Sequence, residues 1–171
     1  MAVKGILLLG NPKLYESCTP VKKEELKGIK NVVANLHDTL MAFKKKYKAG
    51  RAIAAPQIGV MKRLVYMNIK SPVVPVVFIN PVLEDFSRQT IQLWDDCMSF
   101  PDILVKVKRY QNCRVTFRDL KWKKHSMILE EDLSELIQHE VDHLNGVLAI
   151  QRAIDSKSII LKSEKKYFES L

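Results

Sequence analysis

The stretch LSELIQHEVDHLNG, residues 133–146, places His139, Glu140 and His143 inside an apolar-periodic run. Asp132 precedes it and Glu135 stands three residues further on, so a capping box is expected to start a helix there. Gly146 is placed to end it. Residues four apart on a helix share a face, so His139 and His143 can reach one tetrahedral metal. Glu140 would project beside that metal, where it can handle the protons of a bound water. The plain alternative is a pair of solvated or packed histidines, and the H-E-x-x-H pattern on a capped helix outweighs it. A catalytic metal normally takes three protein ligands, so one more is required.

The surrounding chain predicts an α+β fold. Residues 22–48 carry Leu26, Ile29, Val33, Leu36, Leu40 and Phe43 near helical spacing, which reads as one amphipathic surface helix stopped by Gly50. Short β-like runs follow: RLVYMNI (63–69), VVPVVFINPVL (73–83), then strands around 103–109 and 112–119, and HSMILEE (125–131). Pro75 argues for an edge or irregular strand in the second of these. Strand runs closed by a late helix, without βαβ alternation, point to antiparallel sheets packed around the histidine-bearing helix. With no repeat, linker or low-complexity segment, residues 1–171 are expected to form a single domain.

Composition narrows the function classes. Hydrophobic residues make up 47% and charged residues 27%, a globular balance, and no apolar run is long enough for a bilayer. No signal peptide is read at the start, and three cysteines (Cys18, Cys97, Cys113) suit a reducing compartment, so a cytoplasmic location is expected. The net charge of +9 fits either a solvated basic surface or ribosome proximity. No DNA- or RNA-binding motif is present, and no membrane partner is expected. His37 and His125 lack partners at ligand spacing, and Cys18 and Cys113 read as packing residues.

Two residues compete for the third ligand position. Glu164 lies downstream of the helix, as in some helix-borne zinc peptidases, and Cys97 lies upstream in LWDDCMSFPD. A thiolate is the softer donor and suits iron or zinc, whereas a free cysteine is ordinarily a small buried hydrophobe.

Three segments in order, GRAIAAPQIG (50–59), DDCMS (95–99) and QHEVDH (138–143), resemble the peptide deformylase family, and the likeness extends over nearly the whole chain. The resemblance selects Cys97 over Glu164. It implies a metal-dependent amidase that removes the formyl group from an N-terminal formyl-methionine of a nascent polypeptide. Cys97, His139 and His143 would hold one divalent metal ion, commonly Fe²⁺, with Zn²⁺, Ni²⁺ or Co²⁺ as other occupants. Glu140 would move a proton from the attacking water to the leaving amine. The Gln57 side chain and the Met98 backbone N–H would donate to the developing oxyanion.

The chain also departs from the family pattern. Gly50-Arg51-Ala52-Ile53 stands where the family has Gly-hydrophobic-Gly-aliphatic, and Asp95-Asp96 stands where it has Glu-Gly. Arg51 replaces a residue that lines the methionine pocket, and Glu135, one turn before His139 and next to Leu136, replaces another apolar one. Arg51 and Glu135 are expected to meet and make that pocket polar or smaller, because burying either alone is costly. Asp96 would either raise the pKa of Glu140 by like-charge repulsion or point into solvent. The rival functions are a deformylase-like amidase acting on another N-acylated substrate, polar or small, and a metal-stabilised module that docks on the ribosome. A zinc endopeptidase using Glu164 is more distant.

Overall fold

The computed structural model describes residues 2–69 and 77–168. A long helix, α1 (Leu26–Tyr47), precedes a run of strands: β1 (Ala52–Ala54), β2 (Leu64–Met67), β3 (Val77–Glu84), β4 (Thr90–Cys97), β5 (Phe100–Tyr110), β6 (Asn112–Arg118) and β7 (Lys124–Glu130). The helix α2 (Glu131–Leu144) follows directly, and a short strand, β8 (Ile159–Leu161), comes near the end. The strands form two antiparallel sheets, one in the order β1-β2-β3-β6-β7 and the other β4-β5-β8. This is the α+β arrangement expected, with α2 packed against strands of both sheets.

Strict alternation explains β6, where Cys113, Val115 and Phe117 are buried while the residues between them are half-buried. On the core side they meet Val65, Met67 and Phe78 and the apolar face of α2, formed by Leu136, Ile137, Val141 and Leu144. Each such side chain contributes roughly 1.5–3 kcal/mol by leaving water, which is what anchors the helix. The contact is not one-sided, however. Every residue of α2 from Ser134 to Leu144 is buried, including Glu135, His139, Glu140, Asp142 and His143. The helix threads the core, so its polar residues need partners inside the protein.

The ends of both helices differ from expectation. The helix α2 starts at Glu131, and no side chain caps its first turn. The expected Asp132–Glu135 capping box is absent because both carboxylates bond to Arg51 instead. At the other end Gly146 adopts φ +71, and a Cβ there would lie 2.5 Å from the Tyr15 carbonyl oxygen, so only glycine fits. The helix α1 begins at Leu26 after a 3-10 turn, and Lys48, at φ 56, closes it two residues before Gly50.

The strand expectations hold for β2, β3, β5, β6 and β7. Those made for Pro75 lie outside the described residues. The strands β1, β4 and β8 were not foreseen. In β4, TIQLWDDC has no clean polar–apolar alternation, and pairing with the eleven-residue β5 is what holds it extended.

Candidate metal centre and active site

A register jump brings the third ligand to the helix. The strands β4 and β5 pair regularly up to Asp96 with Leu104, and then Cys97 pairs with Phe100, so the hairpin tightens where the thiol lies. Pro101 sits in the skipped segment, where its missing N–H is tolerated. Irregularities of this kind re-aim a side chain, and here the Cys97 Sγ comes 3.3 Å from His143 Nε2. One donor atom each from Cys97, His139 and His143 falls within 4.8 Å of the others, and all three residues are buried. Glu164 is exposed, bonds to Ser163 and has no place in this cluster.

The imidazoles are prepared for different tasks. His139 Nδ1 donates to the Asp95 carboxylate at 2.9 Å, which leaves its Nε2 for the metal. Burial pushes the His139 pKa down, but the Asp95 charge and hydrogen bond, with Cys97 behind them, hold it well above the usual value. His143 is pushed well below the usual value by burial and by the nearby His139 charge, so it is neutral and ready to ligate. Asp95, Glu135 and His139 also lie close enough to share a cation. Their donors are already engaged, Asp95 with His139 and Arg109 and Glu135 with Arg51, which leaves the Cys-His-His set as the metal site.

The donor chemistry fits a divalent transition metal. One thiolate and two imidazoles suit iron, zinc, nickel or cobalt, and three protein ligands leave a position open for catalysis. A second observation supports the fit: Glu140 Oε2 is buried beside the cluster without any hydrogen-bond partner. Burial raises the Glu140 pKa to about 7, with Asp95 and Glu135 adding to the rise and His139 opposing it. That value suits a group that takes and returns protons near neutral pH.

Gln57 sits in the 3-10 turn Ala55–Ile58 after β1 and is buried. Its Oε1 accepts from the Ala54 N–H at 2.9 Å, which turns its Nε2 towards Ser99 Oγ at 3.2 Å and Cys97 Sγ at 3.6 Å. A cavity of about 60 Å³ joins Gln57, Met98, His139 and Glu140, and its walls include Gly50, Arg51, Ala52, Asp96, Glu135 and Leu136. Ile53 lies just beneath, fully buried in the neighbouring core. Ala52 has no positive φ, so its methyl group introduces no backbone strain.

Arg51 and Glu135 do meet. The Arg51 guanidinium contacts Glu135 at 3.0 Å and Asp132 at 3.2 Å. Asp96 is exposed and bonds to Lys162 at 2.9 Å, so the acid that bears on Glu140 is Asp95 and not Asp96. Asp95 is the functional residue that sequence reasoning missed. Its signal was its place two residues before Cys97, on the same inward face of β4. Arg109 bridges Asp95 to Asp142, and Arg152 also contacts Asp142. His37 and His125 stand apart, bonded to Tyr66 and Asp119.

A buried helix offering two imidazoles and a free carboxylate, closed by a thiolate from an antiparallel hairpin, defines a metal-dependent hydrolase. The family profile described as polypeptide deformylase matches residues 3–158, and the chain belongs to the peptide deformylase family. A peptide deformylase of Leptospira biflexa is 33% identical over 168 residues, covering 92% of this chain and 91% of its own. The crystal structure of peptide deformylase from Thermotoga maritima superposes with a TM-score of 0.81 at 29% identity, covering 91% of this chain and all of that one. That of the Ehrlichia chaffeensis enzyme in complex with actinonin gives 0.82 at 27% identity, with 92% of each chain covered. The activity that follows is that of a peptide deformylase, a metal-dependent amidohydrolase.

Proposed function

We propose that this chain, as one catalytic domain in the cytoplasm, removes the formyl group from the N-terminus of nascent polypeptides, with Fe²⁺ at Cys97, His139 and His143. The observation that carries the reading is the buried, unpartnered Glu140 carboxylate beside the Cys-His-His cluster. A divalent ion held there supplies Lewis-acid polarisation of the carbonyl and makes water more acidic. Glu140 takes the proton of the attacking water at Oε2. It then delivers that proton to the amine nitrogen as the C–N bond breaks, leaving formate and a free N-terminus. Gln57 Nε2 and the Met98 N–H donate to the oxyanion as it forms. The bond from the Ala54 N–H to Gln57 Oε1 fixes the amide and supports this role.

The test is formate release from a formyl-Met tripeptide by protein loaded with Fe²⁺, Ni²⁺ or Co²⁺ without oxygen. Metal-dependent release that Glu140→Ala abolishes, with the metal still bound, supports the assignment. Full activity in that variant would remove Glu140 from the mechanism.

A second reading is favoured by the Arg51–Glu135 pair in the cavity wall. A pocket edged by the Arg51 and Glu135 charges suits an apolar thioether poorly, so the reaction is kept while the preferred first residue becomes small or polar. Comparing kcat/KM for formyl-Met, formyl-Ala and formyl-Ser tripeptides separates the two.

A further inference from the structure

A larger cavity, of about 390 Å³, lies on the other side of α2 from the catalytic one. The helix faces it with Gln138, Val141 and Asp142, joined by Asn145 just past its end, and none of these borders the catalytic cavity. Its volume falls in the range of small-molecule sites. Among the described residues no function so far assigned uses it.

The walls carry a surplus of positive charge. Arg63, Lys108, Arg109 and Arg152 border the cavity, against the single carboxylate of Asp142. Asp142 is taken up by Arg109 and Arg152. Among the described residues, Arg63 donates to neutral oxygens, those of Leu144, Pro81 and the Asn145 side chain. Lys108 is exposed and has no acidic partner among the described residues. Arg109 is 4% exposed, its two terminal nitrogens bind Asp142 and Asp95, and its Nε is buried with no acceptor.

An aromatic surface adjoins this cationic wall. Phe86 and Tyr110 border the same cavity, with ring centroids 4.6 Å apart, and both are more than two-fifths exposed. Such rings offer a planar ligand an apolar face, while guanidinium groups take a phosphate through several charge-assisted bonds. We propose that this cavity is a second ligand site, which binds a small phosphate ester bearing a planar ring, of the size of a nucleoside monophosphate. The phosphate meets Lys108 and Arg63, and the ring lies against Phe86 and Tyr110.

The experiment is calorimetric titration of the metal-loaded enzyme with AMP, GMP, CMP and UMP, with inorganic phosphate and adenosine as part-ligands. At least one nucleotide is expected to bind one-to-one below about 1 mM, at least about tenfold tighter than adenosine. Added salt should weaken that binding. Lys108→Glu should weaken it by about tenfold or more while leaving formyl-peptide turnover unchanged, because Lys108 touches none of the catalytic groups. Phe86→Ala should reduce nucleotide binding and spare that of phosphate. Both side chains are exposed, so the variants keep the fold. No heat with any of the four nucleotides up to about 5 mM would overturn the proposal. So would binding that Lys108→Glu leaves intact, or binding that a formyl-Met tripeptide displaces from the Glu140→Ala variant.

Discussion

Replacing Arg51 by isoleucine tests how the catalytic cavity is walled. Arg51 is 44% exposed on its side chain, while Glu135, 3.0 Å away, is 5% exposed. At an effective dielectric constant of about 20 the direct attraction is about 5–6 kcal/mol, but the half-exposed guanidinium is hydrated and shares Asp132, so only a fraction is recovered. Burial and the nearby Asp95 already raise the Glu135 pKa, and the deserted carboxyl would protonate, which limits the loss further. Arg51→Ile should therefore cost about 1–2 kcal/mol in urea unfolding of the metal-loaded protein. Glu135→Ile frees Arg51 to Asp132 and water and should fall within about 1 kcal/mol of the parent. The double variant should regain most of the first loss, giving a coupling of about 1–2 kcal/mol. The same double change lines the cavity with apolar surface, and partial burial of a methionine side chain is worth about 1–2 kcal/mol. Preference for formyl-Met over formyl-Ala, read as a ratio of kcat/KM from formate release, should thus rise about 5- to 30-fold. Additive stabilities together with an unchanged preference would refute the view that this pair walls the substrate site.

With the proposed oxyanion role, Gln57→Leu should lower kcat/KM by about 10²–10³ with the metal content unchanged, although the Ala54 N–H also loses its acceptor; metal loss in step with activity would give Gln57 a structural role instead. Asp95→Asn keeps an acceptor for His139 Nδ1 but removes its charge, and should weaken metal binding about 10–100-fold in competition with a chelator; unchanged affinity would show that Asp95 does not orient His139. Burial raises the Cys18 thiol from 9.0 to about 11, with Arg63 opposing, so the unfolded chain ionises first. The stability this contributes is complete below pH 9 and is lost as pH rises through about 11. Cys18→Ala should show a shallower fall in urea midpoint across that window, and parallel profiles would contradict the raised pKa.

Much of the site was legible because its spacing is local. His139 and His143 share a face of α2 simply because a helix repeats every 3.6 residues, and alternation in β6 announces its inward face in the same way. The Arg51–Glu135 pair could be expected from the sequence only through the resemblance, which put both charges at one pocket, where a buried carboxylate needs a partner. Cys97 could be ranked only by donor chemistry and resemblance, because its approach to His143 depends on a register jump between two strands. The same limit hid Asp95, whose partners His139, on α2, and Arg109, on β5, lie far along the chain.

The capping box failed for a related reason. Asp132 and Glu135 have the right spacing for a local cap, yet both bond to Arg51, over eighty residues away, and for the buried Glu135 that charged partner is worth more than a cap. By itself the sequence determined the donors, their helical spacing and the class of fold, because these follow from short-range periodicity and side-chain chemistry. Only the tertiary structure decided which acid holds His139, how the thiol closes the metal site, and that α2 is buried on every side. Those outcomes depend on strand pairing and packing between residues distant in sequence, and no local pattern encodes them.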